Sequence, residues 1–440
     1  MHSSGTYAAD SVAKALAEAC ADVRDGAAAD AIDGGAGDSG VVVPAFVALP
    51  ASTGEAAAVL RVAAEHELAV VPRGGGSRLG WGAAPSRCDV LVDMSRMDAV
   101  LEHAAGDLVA RLQAGARMGD VAAALAAAGQ EIALDVPAGA TAGGVVASGL
   151  AGPRRLRYGS PRDLLIGITI VLANGTVARS GGKVVKNVAG YDLGKLLAGS
   201  AGTLGLITEV TFRLHPLPAA RAFVAAEFGA SAGPAACDAV AAAANSSLTA
   251  SAVELSRPSP DGPLLVSVLL EGSADGVAAR AAAMADLLGR SGASRAKVSE
   301  TAPPWWPGPP ALSAAPDETL VRVSFWVSAL GQVLDAIDAA ARETGIAPSI
   351  AGSAGAGVLY VSCPPGEPAA CAAFTGALRG TLDHARGGVA VLAAPAEVRA
   401  ALAGRGGMAG SVPSLSLMRA VKDQFDPGHR MSPGRFPEVI

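Results

Sequence analysis

The run Arg73-Gly74-Gly75-Gly76-Ser77 follows the apolar residues Ala69, Val70 and Val71, so three glycines leave the backbone bare where a strand should end. Such a run permits positive φ and lets successive N–H groups close around an anion, usually a phosphate. A tight turn would use the same residues. Two common phosphate loops are excluded by spacing. The G-x-G-x-x-G pattern needs glycine at Leu79, and a P-loop at Gly194-Lys195 needs glycine at Ala189 and a hydroxyl at Leu196. Two further bare stretches favour a ligand: PAGATAGGVVASG (137–149), where Thr141 supplies a hydroxyl, and GSAGTLG (199–205), with Gly199, Gly202 and Gly205 spaced by three. Between them lies the polar run RYGSPRDLL (157–165). Three such loops suit a long ligand with a diphosphate and flat rings.

Groups able to move protons or hold metals are sparse. The six histidines are His2, His66, His103, His215, His384 and His429, and none pairs at HxH or HxxxH spacing. His66, in a helix, and His103, at a strand end, read as structural. His384 and His429 are the ones placed where a later segment could reach the ligand. The stretch AGSAGAGVLYVSCP (351–364) has neither histidine nor carboxylate and offers no metal ligands. Arg154, Arg155 and Arg157 read as a solvated basic face. Five cysteines without CxxC pairing argue against iron–sulfur and structural zinc sites and suit a reducing cytoplasm.

The elements that must position the loops follow from local signals. Ser52 or Thr53 caps a predicted helix at 54–67, with Glu55 in its first turn, and the strand 68–72 runs into the glycines. Strands are expected at 90–93, 98–103, 108–113 and 164–172, and a helix at 117–128. Asn174-Gly175 signals a hairpin into 176–179. A short helix at 191–197 and a strand over 204–216 complete the unit, and Pro216 and Pro218 mark its end. Beyond them ARAFVAAEF, LLVSVLLEG, VRVSFWVS and GVLYVSCP read as strands between alanine-rich helices. The acidic, small-residue run DGAAADAIDGGAGDSG makes residues 1–40 a flexible leader.

Composition excludes other classes. Charged residues are 17% of the 440 and the net charge is -6, which gives no basic surface for nucleic acid or an anionic membrane. Alanine supplies most of the excess in the 51% hydrophobic fraction, and the uncharged stretch 136–153 lacks the Leu, Ile and Phe density of a span. Neither direct membrane insertion nor a secretory signal is expected.

The ordered series RGGGS, PAGATAGGVVASG, RYGSPRDLLIGITIVLANGTV and KNVAGYDLGKLLAGSAGTLGLITEVTFRL resembles the FAD-binding domain of the vanillyl-alcohol oxidase (PCMH-type) superfamily over about residues 41–217. Within it, the KNVAGYDLGKLLAGSAGTLG segment is similar to the FAD-binding E subunit of bacterial glycolate oxidase, and FDPGHRMSPGRF (425–436) to its closing motif. The resemblance implies an α+β chain: a two-subdomain FAD-binding domain at 41–217, then an α+β cap at 218–440 whose segment 425–436 returns to the first domain. It implies that Arg73, Gly74, Gly75, Gly76 and Ser77 hold the pyrophosphate, and that Pro137, Gly139, Ala140 and Thr141 pass the ribityl chain. Gly143, Gly144 and Ser148 would approach the flavin or diphosphate, and Gly202, Thr203, Gly205 and Ile207 the adenine and ribose. Tyr191 would face the cavity or the core.

Ser77 stands where covalent relatives carry histidine, which implies non-covalent FAD. Ser432 replaces the usual asparagine of the closing motif, which leaves Arg435 beside an altered contact. The implied partners are a catalytic flavoprotein and an iron–sulfur subunit acting on a 2-hydroxy acid, with membrane association only through those subunits. A free-standing FAD-dependent oxidase or dehydrogenase of a hydroxy acid or sugar-like alcohol, and a flavin-binding structural subunit, are the alternatives.

Overall fold

The computed structural model describes residues 3–26, 42–183, 191–306, 317–382 and 387–435. It is an α+β chain built on three principal sheets, with two large hydrophobic cores on either side of residues 215–220.

The first sheet has four strands in the order Val23–Asp25, Phe46–Ala48, Val90–Asp93, Val70–Arg73. Its last three strands run parallel because the helix Thr53–Glu65 makes the crossover. Ser52 caps that helix by accepting from the Glu55 amide at 3.1 Å, and Ala56, Val59, Leu60 and Ala63 form its buried stripe. The second sheet is antiparallel, in the order Val100–Ala104, Val109–Gln113, Leu206–Arg213, Leu165–Val171, Val177–Gly181. Apart from Val23–Asp25 and Phe46–Ala48, which were not expected as strands, these elements fall where the sequence places them, to within about three residues.

The third sheet has eight antiparallel strands, in the order Arg295–Ser299, Ala220–Phe228, Leu264–Gly272, Ala252–Arg257, Ser349–Gly352, Val358–Cys363, Thr319–Phe325, Gly387–Ala393. One face is buried by the helices Gly233–Asn245, Ala274–Arg290, Leu330–Thr344 and Pro368–Leu382. The other turns toward the first unit. There Leu320, Val358 and Tyr360 pack against Trp81, which follows the glycine run.

The leader expectation needs correction. Residues Ser3–Ala19 form a helix, and Val12, Leu16 and Cys20 are buried in the first core. Val23–Asp25 then pairs with Phe46–Ala48. Their apolar spacing is obscured by the acidic run that follows, whose residues 27–40 lie outside the described residues.

The end of the chain returns to the first sheet. The Val70 amide donates to the Arg430 carbonyl and the Ser432 amide to the Val70 carbonyl, both at 2.8 Å. This segment therefore lies along the open edge of the strand that delivers the glycines.

Candidate functional site

The bare loops converge on one cavity of about 410 Å³. The strand Val70–Arg73 delivers the glycine run, and each glycine there has its own physical reason. A Cβ on Gly75 would sit 2.5 Å from the Gly139 carbonyl oxygen, and one on Gly74 would collide with the Thr141 hydroxyl. These two glycines let the first loop lie directly on the second. Gly76 has φ +74°, where a Cβ would meet only Arg73 Cδ at 3.9 Å, and Gly199, at φ +84°, faces open space. The amides of Gly75, Gly76 and Ser77 have no acceptor among the described residues.

Thirteen of the expected residues line this cavity: Arg73, Gly74, Gly75, Gly76, Ser77, Ala140, Thr141, Gly143, Gly144, Ser148, Gly202, Gly205 and Ile207. Three are not on its wall. Pro137 closes a turn by accepting from the Ala140 amide at 2.9 Å, and Gly139 presents its carbonyl to Gly75. Thr203 turns its hydroxyl to the Ser200 carbonyl at 2.7 Å.

Several expected roles change with the geometry. The Arg73 guanidinium donates twice to Asp93, at 2.6 and 2.9 Å, so its charge is committed away from a ligand. Thr141 is the N-cap of the helix Ala142–Ser148 and accepts from Gly144 at 3.3 Å. The Gly143 amide is held by the Ala114 carbonyl at 2.8 Å. The Gly143 and Gly144 amides of the second loop are thus taken, while those of Gly75, Gly76 and Ser77 in the first are free. Arg154 is buried, not solvated, and pairs with Glu131 at 2.9 Å and Asp135 at 2.7 Å. Tyr191 is 90% exposed, which removes both readings given to it. His429 pairs with exposed Asp423 away from the cavity, while His384 and residues 186–190 of the KNVAG stretch lie outside the described residues.

The cavity also contains groups that the sequence did not reveal. Arg78, Arg162, Arg322 and Arg435 join Arg73 on its wall, and no aspartate or glutamate is among the described lining residues. Arg78 Nη1 donates to Ser148 Oγ at 3.3 Å and its guanidinium lies 5.0 Å from the Trp81 ring centre, yet its Nε and Nη2 are buried without partners. Burial pulls the Arg78 pKa down. Arg435 reaches in from the returning end, donating to the Arg78 and Leu79 carbonyls at 2.9 and 2.6 Å. Burial pushes its pKa down to about 10, and its Nη1 is unpartnered. A site with excess positive charge and orphaned donors is built for an anion.

Residues 44–181 match the FAD binding domain family. The chain carries an FAD-binding domain. The cavity fits the cofactor: free amides and buried guanidinium groups suit a diphosphate, and side-chain-free loops allow close approach of flat rings.

Curated relatives include the glycolate oxidase subunit GlcD of Bacillus subtilis, 38% identical over 178 residues, covering 40% of this chain and 38% of that protein. The mitochondrial D-lactate dehydrogenase [cytochrome] of Arabidopsis thaliana is 34% identical over 178 residues, covering 40% of this chain and 31% of that protein. The matches thus span about a third of the length of these relatives. Fold similarity extends further. A p-cresol methylhydroxylase solved with substrate bound superposes with TM-score 0.75 at 16% identity, covering 98% of this chain and 96% of that one. The 4-ethylphenol oxidase of Gulosibacter chungangensis gives 0.72 at 17% identity, covering 98% and 97%. The FAD-binding domain and the sheet beyond it therefore share the fold of these two proteins.

No described helix is long and apolar enough to cross a membrane. No cluster of three or more metal-ligating side chains occurs among the described residues.

Proposed function

We propose that this chain is an FAD-dependent oxidoreductase that works as the second flavoprotein subunit of a glycolate-oxidase-like 2-hydroxyacid dehydrogenase complex. The observation that carries the reading is the composition of the cavity. Four arginines besides the committed Arg73, with unbonded glycine-loop amides, suit anions, while no Asp, Glu, His or Lys among the described lining residues could take a substrate proton. Oxidising a 2-hydroxy acid needs such a base beside the electron acceptor. FAD supplies a two-electron acceptor when bound. Gly75, Gly76, Ser77 and Arg78 would hold its diphosphate, and Ser77, having no imidazole, would leave the flavin unlinked.

The likeness to the glycolate oxidase subunit supports a place in such a complex, with an iron–sulfur partner carrying electrons onward. The test is reconstitution with a histidine-motif flavoprotein and an iron–sulfur protein, each purified separately. A stable ternary complex with substrate-dependent electron transfer that requires this chain is expected. Full activity of the other two proteins without it would sink the subunit reading.

A further inference from the structure

Away from the cavity, the eight-stranded sheet brings two thiols together on its helix-covered face. Cys363 closes the strand Val358–Cys363, and Cys371 lies in the first turn of the helix Pro368–Leu382. Side chains alternate along a strand, so Leu359, Val361 and Cys363 enter the core beneath the helices, while Val358 and Tyr360 face the first unit. Thr319 is the Cα partner of Cys363 on the neighbouring strand. The helix sets Cys371 against both of them, and its sulfur accepts hydrogen bonds from the Cys363 thiol and the Thr319 hydroxyl. Two free, buried thiols are therefore direct neighbours. The connection between them is short, and its exposed residues 364–367 begin with Pro364-Pro365, whose fixed φ restrains the spacing of the two ends.

The contact makes the two sulfurs unequal. Hydrogen bonding from Cys363, helped by Thr319, pulls the Cys371 pKa down against its burial. The helix N-terminus acts in the same direction. Donation to Cys371, together with burial, raises the Cys363 pKa well above the ordinary thiol range. The other three cysteines show the reverse of Cys371. Burial pushes the thiols of Cys20, Cys88 and Cys237 up, to about 12 at Cys88 and about 11 at Cys237. A nucleophilic thiolate beside a second thiol is the arrangement that a disulfide requires.

We propose that Cys363 and Cys371 form a redox-active dithiol that a peroxide converts to an intrachain disulfide. The Cys371 thiolate attacks one peroxide oxygen, the O–O bond breaks and hydroxide leaves, which gives a sulfenic acid. The Cys363 sulfur then attacks Cys371 Sγ. The S–S bond forms as the S–O bond breaks, and the Cys363 proton leaves with the oxygen as water. Two thiols are oxidised and one peroxide is reduced to water. Both sulfurs are buried, so the oxidant enters through local opening of the exposed turn 364–367. The bond would tie the strand to the helix within the second core, and it does not depend on how the flavin cavity is read.

The test treats the purified full-length protein with hydrogen peroxide, removes the excess with catalase, and counts thiols in denaturant with and without dithiothreitol. The five thiols of the chain should fall to three and return to five on reduction. Mass spectrometry should place the loss in the tryptic peptide 343–379, which holds no cysteines but Cys363 and Cys371, as a peptide lighter by two hydrogens. Cys363→Ser should stop at the sulfenic acid and be labelled by dimedone at Cys371, whereas Cys371→Ser should leave Cys363 reduced. Should a serine variant fail to fold, the thiol count and the peptide mass of the parent decide. All five thiols surviving the peroxide, a disulfide that uses Cys20, Cys88 or Cys237, or dimedone labelling of Cys363 rather than Cys371 overturns the proposal.

Discussion

The Lys422 ammonium donates to the Thr203 carbonyl at 2.7 Å across 219 positions of sequence. It also donates to Asp426 Oδ2 at 2.7 Å and to the Met431 carbonyl at 2.9 Å, and both charged side chains are completely buried. One cation thus ties the loop that carries Gly202 to the chain end that carries Arg435. Removing it should leave the Asp426 carboxylate buried and unpaired. Lys422→Met is expected to cost on the order of 3–5 kcal/mol and to reduce FAD retention. Adding Asp426→Leu should recover part of that loss. Urea denaturation of the single and double variants checks this, and a silent Lys422→Met would refute it.

The two central glycines of the first loop should fail in different ways. A valine at Gly75 must displace the Gly139 carbonyl, so Gly75→Val should lower both FAD content and the melting temperature of the apoprotein. Gly76→Ala meets little obstruction but forces φ +74° on a residue with a Cβ, at about 1 kcal/mol. It should reduce FAD retention while the apoprotein melts within a few degrees of the parent. Equal FAD content in both variants would mean that the loop is an ordinary turn.

Glu254 gives a pH-dependent signature. Its carboxyl is 1% exposed with Oε1 unpartnered, and burial pushes its pKa up to about 8 from 4.5. The folded chain therefore binds a proton that the unfolded chain has released between pH 4.5 and 8. This contribution is present in full below the lower value and is lost as pH rises. Glu254→Gln should remove that fall, gaining on the parent by on the order of 4 kcal/mol by the top of the window. Urea midpoints at both ends of the window check it; parallel pH profiles would contradict it.

The loops were legible because a glycine's demand is local: positive φ or close backbone approach shows in the residue itself. The helix Thr53–Glu65 was legible from Ser52 and its apolar stripe. The opposite wall was not. Arg322 and Tyr360 meet through the register of two strands, where their neighbours in sequence are ordinary aliphatic residues, and nothing local announces that pairing. Arg78 was visible beside Ser77, but its partial burial follows from Trp81 and Ser148. Arg154 looked like a surface charge because its partners Glu131, Asp135 and Glu271 come from separate segments.

The central claim is that the arginine-lined cavity holds FAD without a covalent bond. Its most direct test is acid precipitation of the purified chain, followed by identification and quantitation of the flavin in supernatant and pellet. Near-equimolar FAD should appear in the supernatant and leave a colourless pellet, since Ser77 cannot form the histidyl link. Yellow colour retained in the pellet, or a chain that neither contains FAD nor takes it up when supplied, would contradict the account.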